Sequence, residues 1–426
     1  MRWEQRITHA TRTDVGMRRQ NNEDSHITRL SSDAESFDRF GHLFVVADGM
    51  GGHAVGELAS KLAVDTVAHL CFLTPGSRTR VVRDAIVDAN ATVHERGTQN
   101  RDFERMGTTC TALSLSNAGL VIGHIGDSRA YRIRRDRVDQ LTFDHSVEWE
   151  LKRRHPGKVS PELLRQHKNV ITRSLGPEKE IKVDIEGPVP VLPGDRFLVC
   201  SDGLTGLVAD EELGAIVRVL PPKRAVRLLV DLANLRGGND NCTVTVVEVG
   251  ELPHGVLAPA PIVDRPDWTL PWPWMVGWLF VALLIVTGAF AWIGGNLPAG
   301  VVFILFGGAV SIPVVVGTLR DRERAMQRFA IDQGDDSRTM HNRPHATAVA
   351  MPLTDLLEEL QSATVDLSAA ARDDDWPLDW AKYDKAVAAA AKASKERRYA
   401  VSLREQATAI HVLMQGLQAM RTGAHG

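Results

Sequence analysis

From Trp268 to Leu319 the chain carries no charged side chain, and this stretch constrains everything around it. A helix that crosses the hydrocarbon core of a bilayer needs about 20 apolar residues, so the stretch is long enough for two. Trp274 to Ile293 and Gly300 to Leu319 read as the two spans, joined by the turn Gly294-Gly295-Asn296-Leu297-Pro298. Trp272, Trp274 and Trp292 lie near the ends of the first span, where interfacial aromatics belong. The turn has no Lys or Arg, whereas Arg265 precedes the pair and Arg320, Arg322, Arg324 and Arg328 follow it. The positive-inside rule therefore predicts that both flanks are cytoplasmic. The competing reading, a buried helix pair of a soluble domain, fits less well because such pairs seldom lack charge over this length. A channel or transporter would need ionisable groups inside the spans, and there are none.

The stretch divides the sequence into four expected parts: a globular domain over residues 1–250, a Pro-rich linker over 251–271, two transmembrane helices over 272–319, and a cytoplasmic linker with a helical hairpin over 320–426. In the first part, β-branched or large apolar runs predict strands at Leu43 to Ala47, Thr108 to Leu115, Leu120 to Ile125, Phe197 to Cys200 and Thr243 to Val249. Helical periodicity predicts helices at Gly56 to Leu70, Thr79 to Arg96, Ser146 to Arg154, Asp210 to Leu220 and Lys223 to Leu235. Strands in adjacent pairs favour hairpins over a doubly wound parallel sheet, so the class is α+β. Trp380 to Lys395 and Arg397 to Arg421 predict two helices turning back on each other, similar to a single tetratricopeptide unit; a plain hairpin is expected, since one such unit cannot bury its own face.

Composition excludes some functions. Lys+Arg 50 against Asp+Glu 53 gives a net charge of -3, without the clustered positive charge that a nucleic-acid partner requires. Cys71, Cys110, Cys200 and Cys242 are far apart in apolar contexts, with no zinc or redox spacing, and read as buried hydrophobes in a reducing compartment. Met1 to Ala10 is polar and charged, so no secretory leader is expected there.

Carboxylates beside glycine recur in the first domain. Val45-Val46-Ala47-Asp48-Gly49 and Val199-Cys200-Ser201-Asp202-Gly203 end apolar strands in Asp-Gly; Ile125-Gly126-Asp127 ends another in Asp; Gly238-Asn239-Asp240-Asn241 precedes the last strand. Any one of these alone is an ordinary turn composition. Together, aspartates delivered at strand ends can converge on one face, and hard oxygen donors suit Mg²⁺ or Mn²⁺ rather than structural zinc. Arg19-Gln20-Asn21-Asn22-Glu23-Asp24 adds a guanidinium fork that matches phosphate, next to two more carboxylates. Cations with a phosphate-binding arginine are the ingredients of phosphoryl transfer to water.

In order along the chain, Arg19 to Asp24, Ala47-Asp48-Gly49-Met50-Gly51-Gly52-His53, Gly107-Thr108-Thr109, Ile125-Gly126-Asp127-Ser128-Arg129, Asn169 to Gly176, Cys200-Ser201-Asp202-Gly203-Leu204 and Asp240-Asn241 resemble the motif series of the bacterial type 2C metal-dependent protein Ser/Thr phosphatases, over about residues 7 to 249. The resemblance implies a four-layer α/β/β/α sandwich of two antiparallel sheets flanked by helices, here followed by the transmembrane hairpin and a C-terminal helical segment. It further implies hydrolysis of phosphoserine and phosphothreonine by a metal-activated water at a binuclear Mn²⁺/Mg²⁺ centre. By the same resemblance Asp48 bridges both metals, the Gly49 carbonyl binds one, Asp202 and Asp240 bind the other, and Glu23 and Asp24 form an acidic pair nearby. Asp127 with Asp202 would hold a third, weaker ion. Arg19 would hold the substrate phosphate, making Arg19, Asp48 and Asp202 the catalytic set, and residues from about Asp144 to Gly176 would form a flap. Met50 stands where animal relatives have a histidine proposed as general acid, leaving metal-bound water or His53 as candidates. The expected partners are phosphorylated proteins, including membrane Ser/Thr kinases, at a bacterial inner membrane. A catalytically silent, membrane-tethered binding module is the alternative; its mark would be a lost metal aspartate, and none is lost.

Overall fold

The computed structural model describes residues 6–52, 54–103, 106–154, 159, 160, 162, 170–250, 272–331 and 344–423, the side chains of 321–331 and 422–423 apart. The chain forms two compact units, Met1–Pro261 with Thr339–Gly426, and Ile262–Arg338. In order the elements are β1 (Ile7–Asp14), β2 (Asp24–Arg29), α1 (Ala34–Phe40), β3 (His42–Met50), α2 (Ala54–Leu73), α3 (Arg78–Thr98), β4 (Gly107–Thr108), β5 (Cys110–Ser116), β6 (Gly119–Ile125), β7 (Arg129–Arg134) and β8 (Arg137–Gln140). They continue with α4 (Val147–Arg154), β9 (Asp184–Val189), β10 (Arg196–Cys200), α5 (Asp202–Thr205), α6 (Asp210–Val219), α7 (Pro222–Leu235), β11 (Cys242–Val249), α8 (Trp272–Ile293), α9 (Leu297–Ile331), β12 (Ala346–Val349), α10 (Leu353–Asp373), α11 (Trp380–Lys395) and α12 (Tyr399–Gly423).

Two antiparallel sheets carry the first unit, one ordered β1-β11-β10-β7-β8-β12 and the other β2-β3-β5-β6-β9, with β4 on β3. Strand β3 shows why the sequence builds layers. Alternate side chains face opposite sides of a sheet, so a strand covered on both faces reads as an unbroken apolar run. Phe44 and Val46 meet Leu113, Ile122, Phe197 and Val247 between the sheets, while Leu43, Val45 and Ala47 meet Ala63, Val67 and Ile86 of α2 and α3. On the far side of the first sheet, Leu198 and Val246 pack under Leu213, Ile216 and Leu229 of α6 and α7. The result is the expected helix, sheet, sheet, helix layering.

Strands β1, β2, β7, β8 and β9 had no expectation. β7 hides because its arginines break the apolar pattern; Arg132 pairs with Asp139 at 2.7 Å and Arg134 with Asp195 at 2.6 Å, so charge sits in a strand by ion pairing. The expected strand Thr108 to Leu115 divides at Thr109, whose hydroxyl accepts from the Asp48 amide at 2.8 Å.

The expectation of a linker and helical hairpin over 320–426 needs correction. After the second unit the chain returns, adds β12 antiparallel to β8 from Ala346↔Gln140 to Val349↔Arg137, and continues as three helices rather than two. Leu356, Leu360, Leu403 and Ile410 belong to the same buried cluster as Leu198, Leu213 and Leu229. A second cluster, with Trp376, Tyr383, Ala386 and Leu413, joins α10, α11 and α12 to one another. The physical reason is area: a lone helix pair leaves apolar faces in water, and the outer face of α6 and α7 supplies the missing cover. The linker at 251–271 and most of 333–345 lie outside the described residues.

In the second unit α8 and α9 pack as a helical hairpin, with Gly288 close to Gly300 and Ile304, and Gly277 beside Val314.

Leu356→Ala is expected to cost about 2–5 kcal/mol in denaturant unfolding of the full chain, as a fully buried leucine does, and to lower the sandwich midpoint with it. If the C-terminal helices instead melt first while the sandwich midpoint stays put, the segment is a separate body after all.

Candidate active site

The strand register brings the first two carboxylates together. Asp24 on β2 lies directly opposite Asp48 on β3. Like charges facing each other across an antiparallel pair destabilise it, so this arrangement calls for a counter-charge. Asp202 starts α5 just past β10, Asp127 follows the end of β6, and Asp240 sits in the loop before β11. Asp24 and Asp127 are buried and Asp202 is partly buried; the charge of Asp202 bears on the protonation of both Asp24 and Asp127, and that of Asp240 on Asp24 and Asp202.

Burial pushes the Asp48 carboxyl well above the ordinary carboxylate range, reinforced by the charges of Asp24, Asp202, Asp127 and Asp240. Asp24 rises for the same reason, burial first and then Asp202 and Asp240, against opposing hydrogen bonds from Thr243 and Ser201. Burial, Asp202 and Asp144 push Asp127 up to about 8. Among the described residues, Asp24 Oδ1, Asp127 Oδ1 and Asp202 Oδ1 have no hydrogen-bond partner. Orphaned, buried, mutually repelling oxygen atoms are what a divalent cation with hard-donor preference would satisfy, so the residues present fit Mn²⁺ or Mg²⁺. Among the described residues no three His, Cys, Asp or Glu side chains stand as a closed ligand set; the fold supplies a cluster of donors rather than a finished cage. The four cysteines are buried and free, which leaves no thiolate chemistry here.

Glu23 and Gly49 meet at the mouth of α2. The Gly49 amide donates to the Glu23 carbonyl at 3.1 Å. A Cβ on Gly49 would come within 2.1 Å of the Gly56 carbonyl oxygen, so only glycine permits the strand to pass this close to the helix. Arg19 is half-exposed on the loop between β1 and β2, and its Nη2 donates to Asp240 Oδ2 at 2.8 Å. The structure thus brings Arg19, Glu23, Asp24, Asp48, Gly49, Asp127, Asp202 and Asp240 to one region. His53 lies outside the described residues.

Sequence reasoning assigned no role to the side chains that brace this cluster. Asn241 accepts from the Glu23 amide at 2.8 Å and donates to the Val15 and Asn21 carbonyls at 2.9 and 3.0 Å. Ser201 donates to Asp24 Oδ2 at 2.7 Å and accepts from the Thr243 amide at 2.9 Å. The signal for both was adjacency, since each sits next to a candidate ligand. At the root of the expected flap, Arg129 pairs with Asp144 at 2.6 Å. His145 Nδ1 accepts from the Gly126 amide at 3.0 Å, leaving Nε2 to donate to Asp184 at 2.9 Å. Of the flap itself α4 is described, while residues 155–158, 161 and 163–169 are not.

Layered sheets with a carboxylate cluster and a guanidinium at their edge define a metal-dependent phosphatase domain of one known kind. Residues 18–220 match the family described as Protein phosphatase 2C. The serine/threonine protein phosphatase PstP of Mycobacterium tuberculosis is 35% identical over 273 residues, covering 62% of this chain and 50% of that protein, so the chain spans about half the length of this relative. Protein phosphatase PhpP of Streptococcus pneumoniae is 36% identical over 248 residues, covering 56% of this chain and 96% of PhpP. The crystal structure of the Mycobacterium tuberculosis serine/threonine phosphatase PstP/Ppp superposes with a TM-score of 0.51 at 33% identity, covering 57% of this chain and 99% of that one. The chain belongs to the protein phosphatase 2C family.

The raised Asp127 carboxyl fixes the sign of a pH effect. Its folded value lies above its unfolded one, so the stability tied to its proton is complete below about pH 4 and is lost as pH rises through about 8. In chelator, Asp127→Asn is therefore expected to melt higher than the parent at pH 8, by about 2–4 °C per kcal/mol relieved, with the gain shrinking toward pH 5. A gain that grows as pH falls would contradict this.

Proposed function

We propose that this chain is a membrane-anchored, metal-dependent protein-serine/threonine phosphatase at a bacterial inner membrane, hydrolysing phosphoserine and phosphothreonine in proteins. The observation that carries the reading is the facing pair Asp24 and Asp48, under the charges of Asp127, Asp202 and Asp240, with Arg19 bonded to Asp240. In this reading Asp48, the Gly49 carbonyl, Asp202 and Asp240 would hold two cations, with Glu23 and Asp24 as the adjoining acidic pair, and Asp127 with Asp202 would hold a third. Bound there, Mn²⁺ or Mg²⁺ would neutralise phosphate charge and lower the pKa of a water molecule.

The chain's own residues do the rest. Arg19 exchanges its contact with Asp240 for phosphate oxygens, orienting the phosphoryl group by its planar fork. Asn241 and Ser201 keep the ligand-bearing loops in register, which preserves the spacing that catalysis depends on. The Met50 side chain has no acidic proton to give the departing serine oxygen, so that proton comes from elsewhere in the site.

Anchoring is supported by the second unit. α8 and the first part of α9 are apolar over 22 and 24 residues, and among them Leu279 and Phe290 are 74% and 73% exposed. Exposed apolar surface on this scale suits lipid. Because residues on both sides of the hairpin fold into one compact unit, two crossings return the chain to the face it left. The tether then raises the concentration of the active site near membrane-bound phosphoproteins such as Ser/Thr kinases.

Two experiments test this. With Mn²⁺ the protein is expected to release phosphate from a phosphothreonine peptide, with Asp48→Asn or Asp202→Asn each losing about 100-fold or more in kcat; no release by folded, metal-loaded protein would leave the silent binding module standing. On fractionation the full chain is expected in the salt-washed membrane pellet, and a variant with a short linker replacing residues 272–320 in the supernatant. A soluble full chain would sink the anchor.

A further inference from the structure

The last helix touches the loop that carries Arg19. Arg421, in the final turn of α12, donates from Nη2 to the Met17 carbonyl at 2.6 Å, and its Nη1 lies 3.1 Å from the Met17 sulfur. Met17 is two residues before Arg19 and sits on the loop bearing Asp240: the Met17 and Arg18 amides donate to the Gly238 carbonyl at 2.8 and 3.2 Å. Gly238 has φ 49 and no room for a Cβ beside Met17, so the two loops are in direct backbone contact there.

A second line of contacts runs to the same loop. His411 of α12 bonds Asp231 of α7 at 2.9 Å, and Arg12 lies 3.6 Å from the other Asp231 oxygen and 3.9 Å from Asp14. Asp14 Oδ1 accepts from the Gly16 amide and from Asn234, both at 3.0 Å. α12 is therefore joined to the start of the short segment 14–18 through Asp231 and Arg12, and directly to Met17 near its end through Arg421.

We infer that Arg421 is a positioning residue for the reaction: its hydrogen bond to the Met17 carbonyl fixes the loop from which Arg19 grips the substrate phosphate. The inference rests on the phosphatase reading for Arg19. A charged donor on a backbone carbonyl is a strong tie, and Arg19 is itself half-exposed, so its aim depends on the backbone beneath it. The C-terminal helices thereby become part of substrate recognition, although none of their side chains is proposed to touch substrate.

The test uses the full chain with Arg421→Ala and Arg421→Lys, each alone and with Arg19→Ala. Hydrogen exchange of the Met17 and Arg18 amides is expected to speed up in Arg421→Ala and to stay near the parent rate in Arg421→Lys, whose ammonium still reaches a carbonyl, with thermal unfolding of both variants unchanged. KM for a phosphothreonine peptide is expected to rise roughly three- to tenfold in Arg421→Ala with kcat within about twofold. In the Arg19→Ala background Arg421→Ala should add nothing, as coupled residues do. Unchanged exchange of the two amides in Arg421→Ala overturns the inference whether or not the parent hydrolyses peptide. So does an equal KM penalty in the Arg19→Ala background. A parent that is inactive in Mn²⁺ counts against the phosphatase reading instead, and the exchange result then decides the loop contact alone.

Discussion

Asp24 and Asp48, facing each other across an antiparallel pair inside a folded sandwich, are the constraint on which the rest of this structure depends. Two like charges at that spacing oppose folding, and Asp127, Asp202 and Asp240 add to the repulsion. A protein tolerates such a cluster when the surroundings over-determine it. Here the surroundings are two sheets with strands buried on both faces, and a set of short polar side chains that tie the aspartate-bearing loops to their neighbours. Asn241 bridges the Asp240 loop to the segment before β2, and Ser201 joins β10 to Asp24. Burial raises the carboxyl pKa values and at the same time makes the site attractive to a divalent cation; both follow from removing water from negative charge.

The same sandwich presents an edge that needs cover. Strand β8 would end the first sheet with open hydrogen-bonding groups, and β12 closes it after the chain has passed through the second unit. Helices α10 and α12 then bury the outer face of α6 and α7, giving the first sheet more cover than the basic four layers provide. Covering an edge and a helical face in this way commits both flanks of the hairpin to one body. It also runs α12 along α7 to the loop between β1 and β2, so a segment with no motif of its own ends beside the arginine of the site.

Much of the fold was legible locally. The strands around Val45, Leu113, Ile122, Leu198 and Val246, and the helices α2, α3, α6 and α7, announce themselves because burial on one or both faces imposes an apolar period. The candidate ligands were legible because aspartates at the ends of apolar strands, two of them as Asp-Gly, are chemically unusual when repeated. β7 was not, since its arginines are satisfied by Asp139, Asp144 and Asp195, partners distant from the strand's own pattern. α10 was not either, because a polar stretch before it suggested a linker, and only the outer surface of α6 and α7 gives Leu356 and Leu360 somewhere to go.

By itself the sequence determined the chemistry and the local geometry: hard oxygen donors at strand ends, a guanidinium beside them, glycine where the backbone must pass close, and two apolar helices in a row. These are set by interactions spanning a few residues. Tertiary structure alone decided that Asp24 faces Asp48, that Asn241 staples the Arg19 loop, that β12 completes a sheet begun by β1, and that Arg421 meets Met17 across 404 residues of chain. Contacts of that range leave no period or motif, because they depend on where the folded backbone brings two unremarkable residues and not on what lies next to either.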